Sequence, residues 1–164
     1  MRWNDIDFGN STLTIRQALQ RTRGRLVLVE PKTAMSCRTV PVPPPTLAAL
    51  RAHRTRQNAD RLSAGTAWQD SGLVFTTHRG GSLEPRNVNR SWYPVRSQAG
   101  LGPFRLHDLR HSCASFLLAA GASPRTVMKT LGHSQIGLTM NTYTHVLPEV
   151  EREAIDAAAK AIFE

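Results

Sequence analysis

The chain has 164 residues, a length that fits a single domain. Hydrophobic residues make up 40% of it, which is enough to build a core and argues against intrinsic disorder. There is no apolar run near the roughly 18 residues that a membrane span needs, and the first ten residues are polar and charged, so we expect neither a membrane protein nor a secreted precursor. The two cysteines, Cys37 and Cys113, have no metal or redox spacing, which favours a reducing cytoplasm.

The charge is positive and unevenly distributed. Lys and Arg number 21 against 12 Asp and Glu, a net charge of +9, and 18 of these bases are arginines. Residues 1–111 hold 17 bases and 7 acids, a balance of +10, whereas residues 112–164 hold 4 bases and 5 acids, a balance of −1. This asymmetry predicts a polyanionic partner, most often nucleic acid. The alternative is that the genome is biased towards arginine, and that these side chains lie on an ordinary protein surface.

The first part of the chain predicts a small sheet. Residues 11–16 alternate polar and apolar side chains, and residues 26–30 and 38–42 are predicted as two further strands. The turn between the last two strands carries Lys32. Together they predict a three-stranded antiparallel sheet near the N-terminus.

The rest of the chain predicts mainly helices. Prolines 43–45 precede a helix over residues 46–63 with apolar Leu47, Leu50 and Leu62. Further on we expect a short strand near residues 70–75, a helix over 85–99, a helix over 109–120 and a helix from Ser123 to Gly132. A short helix after Ser134 and an amphipathic last helix from Pro148 complete an α+β fold that is mostly α.

Three histidines first suggest a metal site. His107 and His111 are four residues apart and can share one helix face, and His133 follows as a possible third ligand. However, Arg110 lies in the same turn and would repel a dication. The intervening acid is Asp108, and there is no Glu next to the first histidine as a zinc protease requires. We therefore expect no metal here.

The same residues fit an anion better. His107 and Arg110 are three residues apart and can both face one anion. His133 stands just before a predicted helix start, where backbone N–H groups favour negative charge. Tyr143 follows ten residues later, and its hydroxyl, with an ordinary pKa of about 10, attacks readily only where cations favour the phenolate. This pattern predicts a phosphate pocket with a tyrosine nucleophile.

These motifs resemble those of a known family. His107-Asp108-Leu109-Arg110-His111, Leu131-Gly132-His133-Ser134 and Thr142-Tyr143-Thr144-His145-Val146 resemble the second conserved box of the tyrosine recombinases, the phage integrase family. Upstream, residues 3–7 (WNDID) resemble the entry to the family's first strand. Residues 31–41 (PKTAMSCRTVP) resemble its strand–turn–strand with the catalytic lysine. The resemblance covers the chain from residue 3 to its end.

The resemblance implies a role for each matching residue. Tyr143 would attack the scissile DNA phosphate and form a 3′-phosphotyrosyl link, with His107 accepting the tyrosine proton. Arg110 and His133 would hold the same phosphate, and Lys32 would protonate the departing 5′ oxygen. The family reaction needs no metal, nucleotide or other cofactor. The implied DNA-binding residues are Lys32, Arg38, Arg110 and His133.

The resemblance also implies a function and partners. The expected activity is site-specific DNA recombination, by integration or excision of a mobile element. The expected partners are double-stranded DNA and other copies of the protein, the latter through the C-terminal helix. The expected location is the cytoplasm of a bacterium, with the protein bacterial or phage-encoded and associated with the nucleoid.

One part of the family pocket has no counterpart in these residues. The family has a further arginine in a Gly-Leu-Arg segment about nine residues before the position of Trp3, which would precede Met1. We therefore expect residues 1–164 to be a catalytic domain without its first helices and without the N-terminal DNA-binding domain, and to be impaired in catalysis. The alternative is an inactive DNA-binding remnant, or a partner of full-length protomers.

The remaining basic residues leave two interpretations open. Arg51, Arg54, Arg56 and Arg61 lie along one predicted helix, either as a solvated face or as contacts to phosphates. His111 is expected to be structural, and His145 is expected to be structural or orienting.

Overall fold

The computed structural model describes residues 1–30, 36–132, 152, 155, 156 and 160. These residues fall into two compact units, Met1–Val95 and Arg96–Glu164, which are treated separately below. The architecture is mostly helical with small antiparallel sheets, and the predicted α+β class is confirmed.

A three-stranded antiparallel sheet lies in the first unit. Its strands are β1 (Ile6–Asp7), β2 (Thr12–Ile15) and β5 (Arg38–Pro41), in the order β1-β2-β5. Leu13 pairs with Ile6 on one side and with Val40 on the other, and Ile15 faces Arg38 at the end of the β2–β5 ladder. A three-stranded sheet was predicted, and the strands over residues 11–16 and 38–42 are confirmed.

The remaining predicted strand pairs differently from our expectation. β4 (Arg25–Val29) pairs with β3 (Ala18–Thr22) in a separate two-stranded ribbon, not with β5, and the third strand of the sheet is β1. The cause is the turn between β3 and β4, where Arg23 and Gly24 have φ values of +48° and +79°. Two successive positive φ values close a tight hairpin whose twist matches its strands.

The core of the first unit forms between the sheet and one long helix. Helix α1 (Pro44–Ala64) confirms the predicted helix and begins with proline in its first turn, where a missing N–H costs nothing. Leu47 is 4% exposed, whereas Leu62, an apolar position of the same helix, is 83% exposed. The buried side chains of this core are Ile6, Val42, Leu47, Leu50 and Val74.

A buried amide on α1 ties the chain start to the segment around residue 74. The Oε1 atom of Gln57 accepts a hydrogen bond from the indole Nε1 of Trp3 at 2.7 Å. Its Nε2 donates to the carbonyls of Leu73 and Val74 at 3.1 and 2.9 Å and to the Thr76 hydroxyl at 2.9 Å. In place of the strand predicted near residues 70–75, the structure has two isolated bridges, Arg2 with Leu73 and Thr76 with Ser82.

Three helices follow. Helix α2 (Pro85–Gln98) confirms the predicted helix and crosses the boundary between the two units. In the second unit, α3 (Asp108–Ala119) packs against α4 (Pro124–Leu131) through a buried cluster. The Ser123 side chain accepts from the Thr126 backbone N–H, and Gly132 ends α4 with φ of +70°, as the sequence indicated. The cluster consists of Ala114, Leu118, Val127 and Leu131.

Two further observations concern the described residues. Cys37 and Cys113 are both unpaired by a disulfide and exposed. Within this part of the chain, no helix has the length and apolar character to cross a bilayer. The helices predicted after Ser134 and from Pro148 lie largely outside the described residues.

The two leucines of α1 provide a matched test of the first core. Leu47→Ala should lower the free energy of unfolding by about 2–5 kcal/mol, because it removes buried methyl groups and leaves a cavity. Leu62→Ala, on the exposed side of the same helix, should change it by less than about 0.5 kcal/mol. Urea unfolding followed by circular dichroism measures both, and equal losses would contradict this assignment of the core.

Candidate phosphate-binding site

The structure describes three of the six predicted site residues. His107 and Arg110 lie at the start of α3 in the second unit, and Arg38 begins β5 in the first unit. Lys32, His133 and Tyr143 lie outside the described residues.

A charged pair closes the turn before α3. The Asp108 carboxylate accepts hydrogen bonds from the backbone N–H of Arg105 at 2.8 Å and from its guanidinium Nη2 at 2.8 Å. Nε of Arg105 adds bonds of 3.1 and 3.2 Å to the two carboxylate oxygens. The Asp108 N–H returns a bond to the Arg105 carbonyl at 3.0 Å. Bidentate charge-assisted bonds of this kind fix geometry as well as adding energy.

This pairing changes the acidity of Asp108. The side-chain hydrogen bonds from Arg105, followed by its backbone N–H, lower the pKa of Asp108 to about 2. The same pairing raises the pKa of Arg105. A carboxylate with this pKa is ionised at neutral pH, and a negative charge at the first turn of α3 suits the helix dipole.

His107 occupies the N-cap position of α3 without capping it. Its side chain makes no cap hydrogen bond, although this position usually belongs to a residue that accepts from the first N–H groups. The ring is exposed and meets the ring of His111 edge-on, with centroids 5.2 Å apart and an interplanar angle of 80°. Asp108, and not His107, therefore closes the turn before α3.

Arg110 links α3 to the end of α4. Its side chain is half-buried, and its Nη2 donates to the main-chain carbonyl of Leu131, the last residue of α4. The last carbonyls of a helix lack partners within the helix and carry partial negative charge, so a guanidinium is a favourable partner there. A guanidinium has five N–H donors, which leaves capacity for an anion. Arg110 is thus held in place with donors to spare.

Arg38 is positioned by the sheet. It is half-buried at the start of β5, opposite Ile15, and its Nη1 donates to the Ser36 carbonyl at 3.3 Å. Its bond to Ser36 holds it against the segment that follows the predicted lysine turn.

The described residues contain no cluster of side chains that could hold a metal ion. Over residues 1–30 and 36–132 and the four described positions beyond them, the structure has no group of three or more His, Cys, Asp or Glu side chains arranged to hold a metal ion. His107 and His111 lie together, and His133, the third candidate ligand, lies outside these ranges.

The sequence interpretation missed the Arg105–Asp108 pair. Its signal was opposite charge at a spacing of three residues immediately before a predicted helix start, a spacing that brings side chains together. For the four arginines of α1 the sequence allows a solvated face or phosphate contacts, and the structure gives local partners to three of them. Arg51 and Arg54 lie over the rings of Phe8 and Trp3 at 5.0 and 5.3 Å, whereas Arg61 pairs with Asp70 at 3.1 Å.

Known proteins are similar to this chain along most of its length. Residues 1–149 match the model of the phage integrase family. The "Tyrosine recombinase XerC-like" protein of Caldanaerobacter subterraneus subsp. tengcongensis is 32% identical over 168 residues, covering 95% of this chain and 43% of that protein. An integrase of Saccharopolyspora erythraea is 36% identical over 137 residues, covering 84% of this chain and 31% of that protein.

Solved structures share the fold. The integrase of the Tn1549 transposon, in complex with transposon right end DNA, superposes with a TM-score of 0.77 at 19% identity, covering 97% of this chain and 52% of that one. XerA recombinase gives a TM-score of 0.69 at 20% identity, covering 94% and 50%. This chain spans less than half the length of the two curated relatives above.

The Arg105–Asp108 pair predicts a pH dependence of stability. In an unfolded chain the Asp108 pKa should be about 3.9, and folding lowers it to about 2. The carboxylate therefore stabilises the fold fully above about pH 4, and this contribution is lost as the pH falls through about 2. The stability difference between the wild type and Asp108→Asn should shrink over that window. A carbon NMR titration should place the carboxyl midpoint near 2 in the wild type and higher in Arg105→Gln, and a wild-type midpoint near 4 would refute the pairing.

Proposed function

Because this chain belongs to the phage integrase family of tyrosine recombinases, we propose that it carries the catalytic residues of a site-specific DNA recombinase. The observation that carries the proposal is the placement of Arg110. It lies one helical turn from His107 and bonds to the end of α4, two residues before His133 in the chain. The proposed substrate is double-stranded DNA at a recombination site of a mobile element.

The proposed reaction exchanges one phosphodiester for another. The Tyr143 hydroxyl oxygen attacks the scissile phosphorus and gives its proton to His107, and a 3′-phosphotyrosyl bond forms as the bond to the 5′ oxygen breaks. Lys32 donates a proton to that departing oxygen. The bond energy is conserved in the tyrosyl link, so the reverse attack by a 5′-hydroxyl rejoins DNA without a nucleotide.

Cationic side chains stabilise the charge that develops on the phosphate. Arg110 has spare N–H donors for two non-bridging oxygens, a bidentate grip that a lysine cannot supply. His133 donates to the same phosphate, and Arg38 contacts the DNA. Aimed donors of this kind act at the charge of the transition state, where each is worth several kcal/mol.

We further propose that residues 1–164 form the catalytic domain and that this polypeptide alone reacts slowly. The family's other pocket arginine has no counterpart among these 164 residues. Losing one donor to a developing anion costs about 10²–10³ in rate, and an arginine on a transferring phosphoryl group is worth about 10³–10⁵. As a protein acting on DNA, it is proposed to associate with the nucleoid.

Tyr143 and Lys32 can be tested with one substrate pair. A pool of nicked duplexes of random sequence carries either a normal phosphate or a phosphate whose bridging 5′ oxygen is replaced by sulfur. A thiolate leaves without a proton because its conjugate acid has a pKa of only about 8.5. Covalent protein–DNA adducts are counted on denaturing gels.

Three outcomes are expected from these substrates. The wild type should form covalent adducts slowly with both the oxygen and the sulfur substrate. Tyr143→Phe should form none while keeping its DNA affinity. Lys32→Ala should lose about 10²–10⁴ in rate on the oxygen substrate and recover on the sulfur substrate. Adducts in Tyr143→Phe, or a Lys32→Ala defect that sulfur does not repair, would contradict these roles.

A second candidate function is DNA binding without cleavage, as a remnant or as a partner of full-length protomers. The observation that favours it is the charge, since the +10 balance of residues 1–111 suits phosphate binding with or without chemistry. Tight DNA binding by the wild type with no adduct on the sulfur substrate would support this candidate over the recombinase.

Self-association through the last helix is also proposed. Val150, Ala154, Ile155, Ala158 and Ile162 follow helical spacing. Ile155 is 68% exposed, as an apolar side chain that meets a neighbouring copy would be before assembly. Sedimentation of DNA complexes should show multimers for the wild type and single copies for Ile155→Glu. Wild-type assembly by Ile155→Glu would contradict the proposal.

A further inference from the structure

The β3–β4 ribbon is a largely exposed element without a core of its own. All five residues of β3 are exposed, and the apolar side chains of Leu19 and Val27 remain 39% and 42% exposed. Neither buried cluster of the described residues includes a side chain from these strands. An isolated two-stranded hairpin is marginally stable in water. The exposed face of the ribbon is therefore a surface that neither buried cluster of the described residues covers.

The turn of the ribbon concentrates positive charge. Arg21, Arg23 and Arg25 lie within five residues, and Arg23 occupies the turn with a positive φ. Arg21 is engaged locally, since its guanidinium bonds the Glu84 carboxylate and the Gly24 carbonyl. Among the described residues, neither Arg23 nor Arg25 has a carboxylate partner. Two unneutralised guanidinium groups thus stand at the tip.

The connections place the ribbon beside residues that the proposed function assigns to DNA. The β2–β5 ladder ends at the pair of Ile15 and Arg38, so residues 16–37 leave the sheet and return to it at the same end. Residues 16–37 include the ribbon and Lys32, and the chain rejoins the sheet at Arg38. A DNA duplex held by Arg38 would pass the base of the ribbon.

We infer that the β3–β4 ribbon binds the DNA duplex, with Arg23 and Arg25 on backbone phosphates. The inference rests on the proposed function, because it takes the DNA held by Lys32 and Arg38 as the occupant. A two-stranded ribbon fits the major groove, which is about 12 Å wide, since its strands are about 4.8 Å apart. Arginine forks match phosphate oxygens bidentately.

The test is the salt dependence of DNA binding by the full chain. Binding of a fluorescent duplex of random sequence is measured for the wild type and for Arg23→Gln/Arg25→Gln. Each phosphate contact contributes about 0.9 to the slope of log affinity against log salt, so the double variant should lose about 1.8. The ratio of wild-type affinity to variant affinity should therefore fall by about tenfold between about 50 and 200 mM salt.

Two control variants separate the ribbon from overall charge and from turn geometry. Arg86→Gln/Arg90→Gln removes the same charge from α2 and should leave the slope close to that of the wild type. Arg23→Lys/Arg25→Lys keeps the charge at the tip and should retain most of the slope. An equal loss in the α2 variant, or in the lysine variant, would overturn the inference. Thermal unfolding verifies that every variant is folded.

The same measurements distinguish a failure of the inference from a failure of the proposed function. A wild type that does not bind duplex DNA contradicts the proposed function and the inference together. A wild type that binds, with an unchanged slope in Arg23→Gln/Arg25→Gln, contradicts the ribbon alone. If that variant keeps its slope but loses self-association in gel filtration, the ribbon meets a second copy of the chain and the inference is wrong.

Discussion

The bond from the Arg110 guanidinium to the carbonyl of Leu131 joins the start of α3 to the end of α4. Its position depends on the apolar contacts between the two helices, where Ala114 and Val127 are fully buried. A change of spacing in that cluster would move the guanidinium, because packed interiors transmit small displacements. Arg110, the proposed contact to the phosphate, is therefore oriented by hydrophobic packing within the second unit, before any DNA is bound.

Carboxylates decide which arginines are available. Asp108 engages Arg105, Asp70 engages Arg61 and Glu84 engages Arg21, so these cations are neutralised within the fold. Such surface pairs add little stability. They leave other guanidinium groups, Arg110, Arg23 and Arg25 among them, without a carboxylate partner within the described residues. The placement of the acids thus decides which arginines are free for the proposed contact with DNA.

The helices were predictable from local signals, and the strand pairing was not. Prolines before α1, Ser123 before α4 and Gly132 after it mark helix ends through backbone chemistry that belongs to single residues. Pairing of β4 depends on which strand reaches it, and an apolar run such as Leu26–Val29 fits more than one partner. In the site, the three-residue spacing of His107 and Arg110 predicts that they lie one helical turn apart. The role of Asp108 depended on a neighbour outside the motif, and Lys32, His133 and Tyr143 lie outside the described residues.

The buried amide of Gln57 has a consequence for how sequences of this fold diverge. It accepts from an indole N–H and donates to two carbonyls and a hydroxyl, so it must be both acceptor and donor. Glutamate would present oxygens to the Leu73 and Val74 carbonyls, and leucine would leave the Trp3 N–H unpaired, and each is a costly buried defect. We therefore expect positions 3 and 57 to change together. In related chains, a residue without an N–H at the first position should coincide with loss of the amide at the second, 54 positions away in the chain.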